Sequence, residues 1–434
     1  MDHSNTTSTA EITPGRQRAI LLTLAAVQFT SIVDFMVVMP LGSQLMDKLN
    51  INPDKFGNIV SAYTISAGIA GFFAASFIDR FGRRASFLSL FSGFLVGTLL
   101  CGLANSYVTL LAARVLTGAF GGVLGGMAMA IIGDVFPPQR HASATAALMS
   151  AFAVASVLGV PFGLFIGTKF GWQWPFLVLA GCGVLVLLAA MYTMPPLRQH
   201  LDPSKPAASP IRQLQETLSD PNHVRAFTLI ITLMFGTFAV VPYIAAYLVA
   251  NVNVKEDQLP WIYVTGGALT LVAAPVIGRL ADRFGKLTVY RCVAPVSALL
   301  MFLVTLLPPV PLVVAVAIVG LLMMSNAGRM IGAMAMVMAS VDPRRRGTFM
   351  SANSSVQHLA SGLGAYVGGQ IIVKLSSGRW MNYPWVGVIG ALATLFSLYL
   401  AGRLRTFSAP SAPNSTVPGE MEEATEAVVA AESF

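Results

Sequence analysis

Apolar residues run along this chain in long blocks. Blocks of about 20 residues or more recur, each long enough to cross about 30 Å of hydrocarbon. They fall near residues 19–41, 56–78, 86–104, 108–132, 142–167, 175–194, 226–250, 259–279, 288–307, 312–340, 348–374 and 384–402. In such a solvent a backbone must satisfy its own hydrogen bonds, so each block is expected as a helix. The pattern predicts an all-α polytopic membrane protein with twelve transmembrane helices. The first block follows a polar leader, "MDHSNTTSTAEITPGRQR", with no small-residue cleavage site behind it. It is read as a retained span.

Composition sharpens this. The chain has 434 residues, 55% hydrophobic and 11% charged, against about 25% charged in soluble domains. A net charge of +8 invites a nucleic-acid surface until the charges are placed. With alternating spans, nineteen of the 27 Lys and Arg lie on one side and six on the other, with Arg114 and Arg329 inside spans. That split is an orientation signal. It puts both termini in the cytosol of a protein of the inner (cytoplasmic) membrane, with the lipid bilayer and not nucleic acid as its surroundings. Cys101, Cys182 and Cys292 fall in apolar blocks without ligand spacing, so no disulfide framework, metal or cofactor is expected.

The longest polar stretch between spans covers 195–225 and divides the blocks six and six. The expected organisation is a leader (1–18), a six-helix bundle (19–194), a cytosolic central loop (195–225), a second bundle (226–402) and a disordered tail (403–434). The tail is rich in Ser, Pro and Glu and has too little apolar content to pack. The halves repeat each other. "FIDRFGRR" follows the second span and "LADRFGKL" the eighth; "GMAMAIIGDVFPPQR" ends the fourth and "AMAMVMASVDPRRR" the tenth. Parallel repeats of this kind are a plan of secondary transporters, with the substrate site between the halves near the midplane.

At these residues the chain resembles the major facilitator superfamily. "DRFGRR", Asp79 to Arg84, matches the family's loop pattern, although Ala75 stands at its opening Gly; the second copy keeps Gly278, Asp282, Arg283 and Gly285. "RVLTGAFGG" from Arg114 resembles the span-four motif, and "DFMVVMPLG" from Asp34 the span-one signature of drug/proton antiporters and sugar-efflux permeases. "GRMIGAMAM" with the following "RRRGTFMSANSSVQHLASGLGA" is similar to an arabinose-efflux-like subgroup. Span five, "GVPFGLFIG", departs from the antiporter pattern: Val160 separates Gly159 from Pro161 and the closing Gly-Gly is missing. The resemblance implies two pseudo-symmetric six-helix bundles working as a monomer. It also implies a conformational latch at one face, built from Asp79, Arg80, Gly82, Arg83, Arg84 and Asp134, with Gly278, Asp282, Arg283 and Gly285 in the second copy. The alternative for these cations is plain anchoring at the headgroups.

Asp34 is the one acid deep within a span. It lies seven residues before Leu41, about 10 Å from that end at 1.5 Å per residue; Arg114 lies six residues after Val108, about 9 Å in. Matching depth lets them meet. An ionised carboxylate there must be paired or hydrated, and a motion that changes its contacts would load and unload a proton. A static ion pair fixing two helices is the alternative. In the second half Arg329 and His358 sit at similar depth, about 15 Å from the other end. Arg329 either binds carbonyl oxygens or faces the cavity and holds an anionic or hydroxyl-rich solute. His358 either carries a proton or donates to a backbone carbonyl. Gln28, Thr30, Ser31, Tyr63, Tyr243, Tyr263, Asn326, Asn353 and Gln357 are further candidates for a cavity lining.

No H-E-x-x-H, C-x-x-C or Walker loop is present, so a polytopic enzyme is disfavoured, and nothing marks a channel filter. The expectation is a secondary active transporter of small molecules: proton-coupled efflux of a drug-like or sugar-like solute. Import or exchange of a small organic anion, clamped by Arg114 and Arg329, is the alternative.

Overall fold

The computed structural model describes residues 13–77, 81–195, 219–342 and 346–407. The leader before residue 13, Asp79 and Arg80, most of the central loop and the tail from 408 lie outside the described residues. The spanning helices are α1 (Pro14–Val37), α2 (Pro53–Phe77), α3 (Arg83–Leu103) and α4 (Tyr107–Val135). Next come α5, in two parts (His141–Val154 and Val160–Phe170) around a wide turn, and α6 (Trp174–Thr193). The second half contains α7 (Pro221–Val240, continuing as Ile244–Val252), α8 (Leu259–Phe284), α9 (Lys286–Thr305), α10 (Leu312–Ala339), α11 (Arg346–Ile371) and α12 (Tyr383–Arg403).

Eleven helices among the described residues are long and apolar enough to cross a membrane. The remaining one, α11, has 26 residues, about 39 Å of helix, but carries Asn353, Ser355, Gln357, His358 and Ser361. Three of these turn inward, Asn353, Ser355 and Ser361 being buried, and the helix packs between α2 and α7. An enclosed helix is not required to be apolar all round.

Five pairings recur between the halves with a shift of six. In the first, α2 packs on α4, α3 on α4, α1 on α5, α1 on α6 and α3 on α6; in the second, α8 on α10, α9 on α10, α7 on α11, α7 on α12 and α9 on α12. The caps repeat too. A short helix, Gly42–Leu49, follows α1 and ends on Asn50 (φ 50°), as α7 ends on Asn253 (φ 63°). The next amide closes each helix, Ile51 N–H on Met46 O and Val254 N–H on Leu248 O. Asparagine tolerates the left-handed conformation that this closure needs.

Small residues set the packing distances. In α5, Gly159, Gly163 and Gly167 are the hollows that receive Val33 and Val37 of α1 and Leu41 just beyond it, a four-residue ridge on a four-residue groove. The halves meet along α2 with α11 and α5 with α8. They are closed over the face that carries Leu41. Lys374, in a two-strand hairpin (β1, Val373–Lys374; β2, Trp380–Met381), reaches Asp47 of the first half at 3.1 Å. Below it, Tyr243 donates to the Ala365 carbonyl and meets Phe56 edge-on at 5.9 Å. Gly57 lies so close to Ala365 and Gly369 that a Cβ would stand 2.9 Å from the Ala365 oxygen.

Candidate functional site

The fourth span begins at a capping box. Ser106 Oγ accepts from Thr109 N–H at 3.3 Å and Thr109 Oγ1 accepts from Ser106 N–H at 3.1 Å. That start fixes the phase of α4 and turns Arg114 toward α1. Arg114 Nη1 donates to Asp34 Oδ2 at 2.7 Å, and the side chains are 1% and 0% exposed. The other carboxylate oxygen accepts from Thr98 Oγ1 of α3 at 3.1 Å. Tyr63 of α2 covers the guanidinium, whose Cζ lies 4.4 Å from the ring centroid. Cys101 and Thr117 complete the enclosure, Sγ to Oγ1 3.7 Å.

An acid from α1 and a base from α4 thus meet inside the first bundle. Asp34 has both oxygens satisfied, and breaking such a pair by removing one partner costs about 3–5 kcal/mol. As it stands the site is sealed: a proton reaches Asp34 only if α1, α3 and α4 shift.

The second half holds a different centre. Arg329 is fully buried. It donates through Nη1 to Thr394 of α12, and through Nη2 to Thr237 of α7 at 2.7 Å and Asn326 Oδ1 at 3.0 Å. Asn326 Oδ1 also accepts from Ser297 of α9 at 2.9 Å. Among the described residues no carboxylate pairs with Arg329. Its acceptors are neutral, and the side chain turns into its own bundle toward α9 and α12. His358 is half-buried and is not among the partners of Arg329.

The other candidates separate into groups. Thr30 and Ser31 bond back to α1 carbonyls, of Ala26 at 2.9 Å and Gln28 at 3.0 Å. Tyr63 belongs to the ion-pair site and Tyr243 to the closure at the Leu41 face. Gln28 faces Gly125 across a gap; Tyr263 is half-buried. Asn353 and Gln357 point their amide nitrogens at Met334 Sδ, both at 4.0 Å. Among the described residues Asn353 Oδ1 is buried without a hydrogen-bond partner.

At the opposite face, Arg83 Nε lies 3.2 Å from Asp134 Oδ2, and Arg84 donates to the Met191 carbonyl of α6 at 2.6 Å. Gly82 starts α3 through Ser86 N–H at 3.1 Å. In the second copy Lys286 Nζ reaches the Ala335 carbonyl of α10 at 3.4 Å. Gly285 holds φ 91° between α8 and α9, a conformation that favours glycine. Arg283 lies over Phe284, 5.3 Å from its ring centroid. Gly278 has open space around it. Both loops are therefore tied to the end of the helix after next.

Sequence comparison returns the same unit twice. The description Major Facilitator Superfamily matches residues 24–250 and again residues 226–430. The chain belongs to that superfamily. It is similar to the uncharacterized MFS-type transporter YceJ of Bacillus subtilis, 25% identical over 346 residues that cover 79% of this chain and 87% of the relative. It is 22% identical to AraJ of Escherichia coli, a candidate transporter, over 414 residues (91% of this chain, 98% of the relative). Among solved structures it superposes on a bacterial homologue of the human lysosomal transporter Spinster, in an inward-facing unoccupied conformation. There the TM-score is 0.72 and the identity 18%, over 92% of this chain and 99% of the other. It is a multi-pass membrane protein of general membrane transport, not an enzyme.

Proposed function

We propose that this transporter exports a drug-like or sugar-like small molecule across the cytoplasmic membrane, driven by protons taken up and released at Asp34. The face carrying Arg83 is assigned to the cytosol, on the charge split. The observation that carries the reading is the Asp34–Arg114 pair. It is one acid and one base, donor to acceptor 2.7 Å, sealed between helices of one bundle. Opening that pair exchanges a cationic neighbour for water, which changes how tightly the carboxylate holds a proton. An alternating-access cycle needs such a change between its two states.

The organic-anion alternative would use Arg114 and Arg329 as a clamp. Arg114 is already committed to Asp34, and Arg329 turns toward α9 and α12, which weighs for export coupled to Asp34. The test is uptake of ethidium and of benzoate into inverted proteoliposomes, with and without an inward-acid pH gradient. Ethidium accumulation that collapses with the gradient and is absent in Asp34→Asn supports the reading. Gradient-driven benzoate transport that survives Asp34→Asn supports the anion alternative.

A further inference from the structure

The ion pair in the first half and the Arg329 centre in the second are built on matching helices. In α1, Asp34 accepts from the arginine of its own bundle, and the next residue is Phe35. In α7, Thr237 accepts from the arginine of its own bundle at 2.7 Å, and the next residue is Phe238. Phe35 and Phe238 meet across the two halves, ring centroids 5.8 Å apart. On its other side Phe35 stacks on Tyr63 at 5.2 Å and 25°, the same ring that covers Arg114. Each first helix thus offers one residue to its buried arginine and the next to the opposite bundle.

We propose that the Phe35–Phe238 contact is the element through which the state of Asp34 is passed to the second bundle, with Tyr63 holding Phe35 in register. The proposal rests on the reading of Asp34 as the proton carrier. Phe35 and Phe238 are positioning residues: they touch neither proton nor substrate. When Arg114 leaves Asp34, Tyr63 loses the cation beneath it and Phe35 loses the surface against which it stacks. Two stiff rings move as bodies, and the contact with Phe238 shifts or breaks. Thr237 follows Phe238, since the two are adjacent on one helix, and its bond to Arg329 is re-set. Among the described residues the ionisable groups facing Asp34 are Arg114 from α4, Tyr63 from α2 and Cys101 from α3. Arg114 is the dominant neighbour, so the switch has one main partner.

A pair of spin labels on the Leu41 face reads the motion. Asn105→Cys in the first half and Ser377→Cys in the second are exposed positions. Cys182 and Cys292, also exposed, are replaced by serine, and buried Cys101 is left in place. Inter-label distances are measured in lipid nanodiscs from acid to alkaline pH. The protonated-carboxyl infrared band, assigned by its absence in Asp34→Asn, reports titration in the same samples. The parent chain is expected to exchange between two distance populations as Asp34 titrates, and Asp34→Asn to hold one. In Phe238→Leu and in Phe35→Leu the carboxyl band still titrates but the populations no longer follow pH. Phe238→Tyr, which keeps the ring, restores the response. The double leucine variant is no worse than either single one, because both remove one contact.

If the leucine variants follow pH as the parent does, the contact transmits nothing and the proposal fails while the proton reading stands. If they lose the carboxyl titration as well, the rings act on Asp34 itself and the proposal is overturned. If the parent ignores pH, or Asp34→Asn still responds, the proton reading fails and takes the proposal with it.

Discussion

Gly163 of α5 is the hollow into which Val37 of α1 fits, and the same seam continues through Val33, the residue before Asp34. The helix that carries the acid is therefore held by close backbone approach, and its movement depends on that fit. Gly163→Leu inserts a branched side chain where a Cβ alone would stand 2.7 Å from Val37. Overpacking costs about 1–3 kcal/mol in a tight interior. The variant is expected to lose several degrees of thermal stability in detergent, read as the melting midpoint. An unchanged midpoint would mean the seam is slack.

Asp34→Asn retains the shape of the site but leaves Arg114 buried without a counter-charge. Stability should fall by about 3–5 kcal/mol, and gradient-driven transport should vanish. Adding Arg114→Met removes the orphaned cation. The double variant should recover most of the melting temperature and none of the uphill transport. Recovery of both would place the coupling proton elsewhere, with His358 next to be tested. Counterflow in the single variant, which needs no net proton movement, should persist if the solute still binds.

Arg83 and Asp134 are partly exposed, 13% and 27%, and such pairs stabilise by about 0–1 kcal/mol. Asp134→Asn should hardly move the melting point yet slow transport, because the tie between α3 and the end of α4 acts on the cycle. Exchanging the charges, Arg83→Asp with Asp134→Arg, should return part of the rate. Wild-type rates in Asp134→Asn would reduce the loop to a headgroup anchor. Asp79→Asn tests the same latch from residues outside the described ones.

Arg329→Met keeps the stem and deletes the charge. Thr237 and Thr394 lose a donor but retain solvent-free bonds of their own, Thr237 to Leu233 O at 2.7 Å and Thr394 to Gly390 O at 2.8 Å. The expected result is a shift in stability of about 1–3 kcal/mol with every transported solute affected alike. Selective loss of anionic solutes, measured against a lipophilic cation, would instead make Arg329 a substrate contact.

The charge split makes topology testable too. A reporter fused after Phe434 and a tag near Ser209 should both read as cytosolic. A periplasmic signal from either would overturn the assignment of the Arg83 face.

Much of this was legible in the chain because lipid leaves few choices. Span lengths, the doubled loop and the shared depth of Asp34 and Arg114 all follow from one-dimensional spacing. What spacing does not carry is azimuth. Arg329 finds Thr237 and Thr394 on helices far away in sequence, and neutral hydroxyls leave no charge pattern to follow. Tyr63 read as cavity lining, yet it lies over Arg114; Tyr243 read the same way, yet it closes the Leu41 face. The polar residues of α11 were visible, but only the packing of α2 and α7 around them explains why so hydrophilic a segment is tolerated.

The wide turn of α5, Ala155–Gly159, is a π-helical segment of five residues. Such a turn absorbs one residue more than a straight helix between the same ends would hold. Removing one residue from the part of α5 before this turn, His141–Val154, would rotate Gly159, Gly163 and Gly167 by about 100° relative to the start of the helix and carry them off the α1 seam. Removing Leu158, which is 63% exposed, turns the segment into an ordinary turn and leaves the phase on both sides unchanged. Fold and yield should therefore survive a deletion within this turn and not one in the helix before it: the helix carries a built-in place where its length is negotiable.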